Sequence, residues 1–501
     1  MKKQNLEKIS IIYLVRTMKN NSNENSLISN SLYNVLYKIL NILFPLISTS
    51  YVSHIINADG VGKVASAQNI VQYFVIIATL GIPEYGVREI AKCKSSKAIN
   101  KLFSELMLLN LVSTITCSVL YVVVIYFNNY FGNRALYLVV GISILLNIIN
   151  VDWLYQGIEE YKYIAIRSFV VKCFSLIAVF IFVRERSDYV IYALISVLAI
   201  AGNYGFNVVH LKRKSVKVRR HCLNLKIHFN SIFILLCTTI SIELYTLLDT
   251  TMLTFMDVEE NVGYYTVSMR IVKILIAAVT GISGVLLPRL SRYYSEGRVK
   301  ECSEIVSKIF SILFFAFLPC GIGIIIVAPQ LMIVLFGPSF KNGIITLRIA
   351  ALLIYALGFS NLFGTQVLLT VGCEKKLFFS TIVGAISNIC MNAILIPLYN
   401  QNGAALASVI SEALVTFITY RYSIKYIKMK IDKKIFIDAF ISVLFMTIAV
   451  VVMSDIITAE LISLLLSVIV GIFIYLLINY ILKNPIYFEL KRIVKKKNIC
   501  D

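Results

Sequence analysis

Acidic side chains are scarce in this 501-residue chain, which has 27 Asp and Glu, and it holds only four His and one Trp. The histidines, His54, His210, His221 and His228, share no metal-ligand spacing. Ten cysteines contain no CxxC pair and none falls in an outward gap, so zinc, redox and disulfide frameworks give way to apolar packing. GxxxxGK[ST], HExxH and GxSxG are all absent, which removes P-loop ATP binding, zincin chemistry and the nucleophile elbow. No motif requires a cofactor or a metal, no catalytic constellation is present, and no gap between apolar blocks is long enough for a soluble domain.

Long apolar blocks dominate instead. Hydrophobic residues make up 58% of the chain and charged ones 15%. A hydrocarbon core of about 30 Å takes roughly 20 apolar residues per helical crossing. Crossings are predicted at 31–56, 66–86, 104–127, 135–154, 168–184, 188–210, 229–256, 263–287, 308–328, 344–371, 377–397, 403–422, 435–454 and 459–482. The blocks are continuous and lack period-2 alternation, which excludes a transmembrane barrel. The expected fold is all-α: a polytopic membrane protein with about 14 transmembrane helices.

The net charge of +21 would in a soluble chain point to nucleic acid. Its distribution says otherwise. Basic residues crowd alternate gaps, as in Lys212, Arg213, Lys214, Lys217, Arg219 and Arg220, or Lys425, Lys428, Lys430, Lys433 and Lys434. The intervening gaps are short and poor in Lys and Arg, as in Asp257-Val258-Glu259-Glu260. Positive gaps stay cytoplasmic. The chain is therefore expected to span the plasma membrane many times with both termini inside, to meet anionic membrane lipids, and to bind no nucleic acid.

An internal repeat is visible. An offset of 201 carries Gly62 onto Gly263 and Arg88 onto Arg289, and an offset of 215 carries Gly157 and Glu159 onto Gly372 and Glu374. Two pseudo-symmetric six-helix lobes follow, parallel because six is even, with two C-terminal helices added. The expected organisation is an N-terminal arm at 1–30, an N-lobe at 31–214, a C-lobe at 215–430, helices 13 and 14 at 431–484, and a basic tail at 485–501. Facing bundles of this kind open alternately to either side of a membrane.

Charges within the crossings mark candidate sites, because each costs about 2.5–3.5 kcal/mol at the bilayer centre. Arg270 and Lys273, at i and i+3, share one face of crossing eight at a depth of about 10–15 Å. Lys38 shares a stripe of crossing one with Asn34, Asn41 and Pro45. Asn69 and Gln72 occupy the repeat positions of Arg270 and Lys273. The three cations form a candidate phosphate or diphosphate site, with Asn69, Gln72 and Asn41 as polar lining, and the alternative for Lys38 is snorkelling to the inner interface. The alternative for Arg270 and Lys273 is structural pairing with Glu243 or Asp249, which are in turn candidates for a coupling proton or sodium. Lys172 and Arg348 are read as anchors near helix ends.

Several stretches resemble a known family. DWLYQGIEEYKYIAIRS (152–168) is similar to the signature of Wzx-type polysaccharide flippases in the multidrug/oligosaccharidyl-lipid/polysaccharide exporter superfamily. GIPEYGVREIAK (81–92), VGYYTVSMRI (262–271), LLPRLSRYYSEG (286–297) and NAILIPLYNQNGAALASVISE (392–412) resemble it too, in the expected order. The resemblance implies two six-helix lobes with two extra helices. It also implies passage of an undecaprenyl-diphosphate-linked oligosaccharide from the inner to the outer leaflet, with the polysaccharide polymerase as a partner. Cationic cavity residues of the family would correspond to Lys38, Arg270 and Lys273. Trp153, Tyr155, Tyr161 and Tyr163 of the first stretch also fit an interfacial aromatic belt. Other readings are an ion-coupled multidrug antiporter on the same fold, a flippase for a peptidoglycan precursor or teichoic acid chain, and a membrane polysaccharide polymerase. The polymerase would want a sizeable outward loop, whereas the longest outward gap, 329–343, is short and apolar.

Overall fold

The computed structural model describes the backbone of residues 2–93, 95–128, 132–213, 223–280, 283–430 and 432–497. Side chains are described at 37, 40, 41 and from 43 to 492, except 94, 129–131, 212–222, 238, 241–242, 244–245, 278–286, 288 and 431. The helices are α1 (Lys2–Thr79), α2 (Ile82–Lys92), α3 (Ser96–Phe127), α4 (Arg134–Leu146), α5 (Asp152–Gly157), α6 (Tyr161–Phe182) and α7 (Tyr189–Arg213). They continue with α8 (Lys226–Met256), α9 (Glu259–Thr280), α10 (Ser283–Ser295), α11 (Val299–Phe336), α12 (Ile344–Ala350), α13 (Leu353–Ser360), α14 (Glu374–Ser423), α15 (Lys433–Ile456), α16 (Glu460–Ile481) and α17 (Pro485–Lys497). No strand occurs among the described residues. The fold is all-α and polytopic, and helix occupies each of the predicted crossings.

Nine helical stretches among the described residues are long and apolar enough to cross a membrane. Two of them, Leu43–Lys92 and Glu374–Ser423, contain a break at a single asparagine. Asn57 has φ 59° and Asn400 φ 52°, a left-handed backbone that asparagine tolerates better than most residues. At Asn400 the chain folds sharply back: a Cβ on Gly403 would lie 2.0 Å from the carbonyl oxygen of Leu395. Each of these stretches therefore carries two predicted crossings. A π-helical segment, Asn361–Leu368, continues α13.

Tertiary contacts divide the chain into two compact units. Unit 1 is Met1–Ser48 with Ala67–Leu244, and unit 2 is Thr49–Ser66 with Tyr245–Asp501. The division falls inside α8, which as one continuous helix contributes to both, rather than in the polar stretch near residue 214. In unit 1, Tyr85 and Ile90 of α2, Phe103 of α3, Trp153 and Tyr155 of α5 and Ile232 of α8 form one buried cluster. In unit 2, Phe315 and Leu318 of α11 pack with Val443 and Met446 of α15 and Tyr475 of α16.

The two glycines related by the offset of 201 meet inside unit 2. A Cβ on Gly62 would lie 1.6 Å from the Glu259 carbonyl oxygen, and one on Gly263 would lie 2.2 Å from that of Ala58. The contact is reciprocal, as a two-fold relation between the segments would make it. Small residues let helix backbones approach this closely in lipid. Gly62→Ala is expected to cost about 1–3 kcal/mol through forced separation, read as a lower thermal midpoint of the purified protein in detergent.

Candidate functional site

Unit 2 holds a buried carboxylate, Asp249 of α8, which is 7% exposed. Its oxygens accept hydrogen bonds from the Tyr265 hydroxyl at 2.7 Å, Asn388 Nδ2 at 2.8 Å, Asn392 Nδ2 at 2.6 Å and the Ser408 hydroxyl at 2.5 Å. Three helical segments deliver these donors: α9 brings Tyr265, and the two halves of α14 bring Asn388 and Asn392 on one side of its break and Ser408 on the other. Asn388 and Asn392 stand four apart, so one helix face presents both amides. No cation pairs with Asp249 among the described residues. Neutral donors around a buried carboxylate lower the cost of taking it out of water.

The cage is also rich in oxygen. Among the described residues, buried Asn392 Oδ1 has no hydrogen-bond partner, and Asn388 Oδ1 accepts from Asn392 at 3.2 Å. One carboxylate with neutral amide, hydroxyl and phenol oxygens is a donor set suited to a hard cation of single charge. The family-like stretches 262–271 and 392–412 supply Tyr265, Asn392 and Ser408. The sequence reading picked out Asp249 and missed its partners, although asparagines at i and i+4 in an apolar crossing are a visible signal.

Arg270 and Lys273 lie on α9 of the same unit. Arg270 is half-buried and donates from Nη1 to the hydroxyl of Thr49. Lys273 is exposed one turn further along. With Asp249 committed to neutral donors, the pairing of Asp249 with Arg270 or Lys273 envisaged from sequence does not form.

The remaining candidates belong to unit 1. Asn69 is buried and Gln72 is exposed one turn on. Glu243 is half-buried on α8. Lys38 lies on α1, and its side chain falls outside the described residues. Asn41 is exposed and accepts a hydrogen bond from Lys172 at 2.5 Å. Lys172 is not near a helix end: it stands eleven residues from the first residue of α6 and ten from the last. The helix begins seven residues earlier than the predicted crossing at 168 because it can absorb Arg167. That guanidinium donates to Asp152 Oδ1 at 2.7 Å and Oδ2 at 3.4 Å, and also to Asn207.

The stretch 152–168 is interior packing and not an interfacial belt at its core. Trp153 and Tyr155 are 3% and 1% exposed. Trp153 lies against Gly86 and Phe103, and the Tyr155 hydroxyl donates to the Asn207 carbonyl at 2.8 Å. Two histidines of unit 1 are likewise engaged. His228 bonds Glu105 at 2.9 Å and the Tyr85 hydroxyl at 2.7 Å, while His210 stacks on Tyr163 with ring centroids 4.0 Å apart. In the turn after α10, hydrogen bonds from Arg292 and then Arg298 hold the Glu296 carboxyl below the usual range.

The family described as "Polysaccharide biosynthesis protein" matches residues 27–294. The chain belongs to that family. Its resemblance to Wzx-type polysaccharide flippases of the multidrug/oligosaccharidyl-lipid/polysaccharide exporter superfamily holds. A protein of Escherichia coli (strain K12) named "Putative O-antigen transporter" is 24% identical over 79% of this chain and 96% of its own length. Among solved structures, "Lipid II flippase MurJ, inward closed conformation" aligns with TM-score 0.72 and 15% identity, covering 91% of this chain and 98% of that one. An inward-facing "multidrug resistance MATE family transporter of the MOP superfamily" aligns with TM-score 0.63 and 16% identity, over 76% of this chain and 93% of that one. At such identities the structures show the fold. The family member described here is a multi-pass membrane protein.

Proposed function

We propose that the protein moves undecaprenyl-diphosphate-linked oligosaccharide repeat units from the inner to the outer leaflet of the plasma membrane by alternating access, for surface polysaccharide synthesis. Both termini are cytoplasmic in this reading, and the polysaccharide polymerase takes up the delivered units. The name of the Escherichia coli relative and the family description support the cargo class. The observation that supports ion coupling is the neutral cage around Asp249 in unit 2. Its carboxylate accepts from the amides of Asn388 and Asn392 and the hydroxyl of Ser408.

Arg270, oriented by Thr49, offers a planar fork to phosphate oxygens, and Lys273 adds a point charge one turn away. In unit 1, Lys38 is a further candidate cation, with Asn69, Gln72 and Asn41 as candidate polar lining. The oxygen cage at Asp249 takes the coupling ion, a proton or sodium, and Glu243 is a second candidate for it. An ion-coupled multidrug antiporter would use Asp249 equally well, and the MATE neighbour shares the fold. Its organic-cation cargo, however, would be repelled by Arg270 and Lys273. A peptidoglycan-precursor or teichoic acid cargo has the same diphosphate and separates only by its sugars.

Arg270→Ala and Lys273→Ala are each expected to reduce surface polysaccharide by about tenfold at unchanged protein level, the size of a lost charge-assisted hydrogen bond. Unchanged export in the double variant removes both from the site.

A further inference from the structure

Helix α6 carries two cations five residues apart, and unit 1 treats them differently. Arg167 has a carboxylate, Asp152, at 2.7 Å and the Asn207 amide beside it. Lys172 has neither. Its one hydrogen-bond acceptor among the described residues is the Asn41 amide oxygen, and its ammonium stands 5.9 Å from the centre of the Phe44 ring. Both partners are neutral.

The position makes this costly. Ten or eleven residues separate Lys172 from either end of α6, which at about 1.5 Å per residue is roughly 15 Å of helix. A lysine stem does not reach an interface over that distance. An ammonium has three N–H donors and Asn41 takes one. The side chain is half-buried and not sealed in. A mid-span cation with neutral support, spare donors and no counter-ion among the described residues is arranged to receive an anion that arrives and leaves.

We propose that Lys172, held by Asn41, is an anion-recognition point of unit 1 that takes the phosphate oxygens of a phosphorylated lipid. The ligand chemistry is a phosphate or diphosphate ester on an apolar chain. Assigning it to the cargo rests on the flippase reading above.

The test is binding to the full-length protein in detergent, with farnesyl diphosphate, dioleoyl phosphatidic acid and inorganic diphosphate as probes. Lys172→Met and Asn41→Asp should each weaken farnesyl diphosphate binding by about tenfold, and Lys172→Arg should keep it within about twofold. Asn41→Asp is informative because it adds a permanent counter-ion while leaving the lysine in place. Lys172→Met removes a charge from mid-span and should not impair folding, which an unchanged thermal midpoint checks. If both variants bind every probe as the wild type does, the proposal is overturned. Loss confined to phosphatidic acid overturns the cargo assignment and leaves a phospholipid site. Wild-type protein that binds no farnesyl diphosphate would instead count against the flippase reading itself.

Discussion

Asp249→Asn is expected to abolish polysaccharide export and the response of the protein to sodium or to pH, while the chain still folds and reaches the membrane. The amide is nearly isosteric with the carboxylate. It removes the one negative charge of the oxygen cage and turns an NH2 toward groups that are themselves donors, Tyr265, Asn388, Asn392 and Ser408. Each buried donor left without its acceptor costs about 1–3 kcal/mol, and the losses are not additive because the four share one network. Ion binding to the native state alone raises stability by mass action. Wild-type protein should therefore show a higher thermal midpoint when sodium replaces choline, or a midpoint that moves with pH if the ion is a proton. Asp249→Asn should show neither. A variant that exports normally and still responds to the ion would take Asp249 out of coupling.

The largest effect on stability is expected at the ion pair of unit 1. Asp152→Ala leaves the Arg167 guanidinium, 3% exposed, without its carboxylate inside a membrane helix. Breaking one partner of a buried pair costs about 3–5 kcal/mol, because the remaining charge is uncompensated. Asn207 donates to the same carboxylate oxygen at 2.5 Å and loses that acceptor too. The expected outcome is a strongly reduced protein level and a thermal midpoint several degrees lower. Replacing both partners by apolar residues, Asp152→Leu with Arg167→Met, should recover most of the loss, since neither buried charge then remains. Arg167→Lys should not, because a single ammonium cannot reproduce the two-oxygen contact with Asp152. A single Asp152→Ala variant as stable as the wild type would show that the pair carries little of the packing around α5 and α6.

Much of this was legible before any fold was known. Crossings could be read because lipid leaves helix as the only economical backbone for a continuous apolar block. Asp249, Arg270 and Lys273 could be singled out because charge is rare in such blocks. Mispredictions occurred where a partner changed the meaning of a residue. Arg167 looked like a loop residue until Asp152 came beside it, and that error moved the start of α6 and made Lys172 look peripheral. Trp153 and Tyr155 looked like interfacial aromatics because sequence gives no account of the neighbouring helices that enclose them. Lys38 remains a candidate known from the chain alone.

The sequence by itself determined that the protein is all-helical, that it crosses a membrane repeatedly, and where its intramembrane charges lie, because each of these follows from local composition against a hydrocarbon solvent. The tertiary structure decided which of those charges are neutralised, caged or left with neutral support. That choice depends on side chains far apart in sequence, such as Asp249 with Asn388 and Ser408, or Lys172 with Asn41, being brought within hydrogen-bond distance. No periodicity along the chain records which helices will be neighbours.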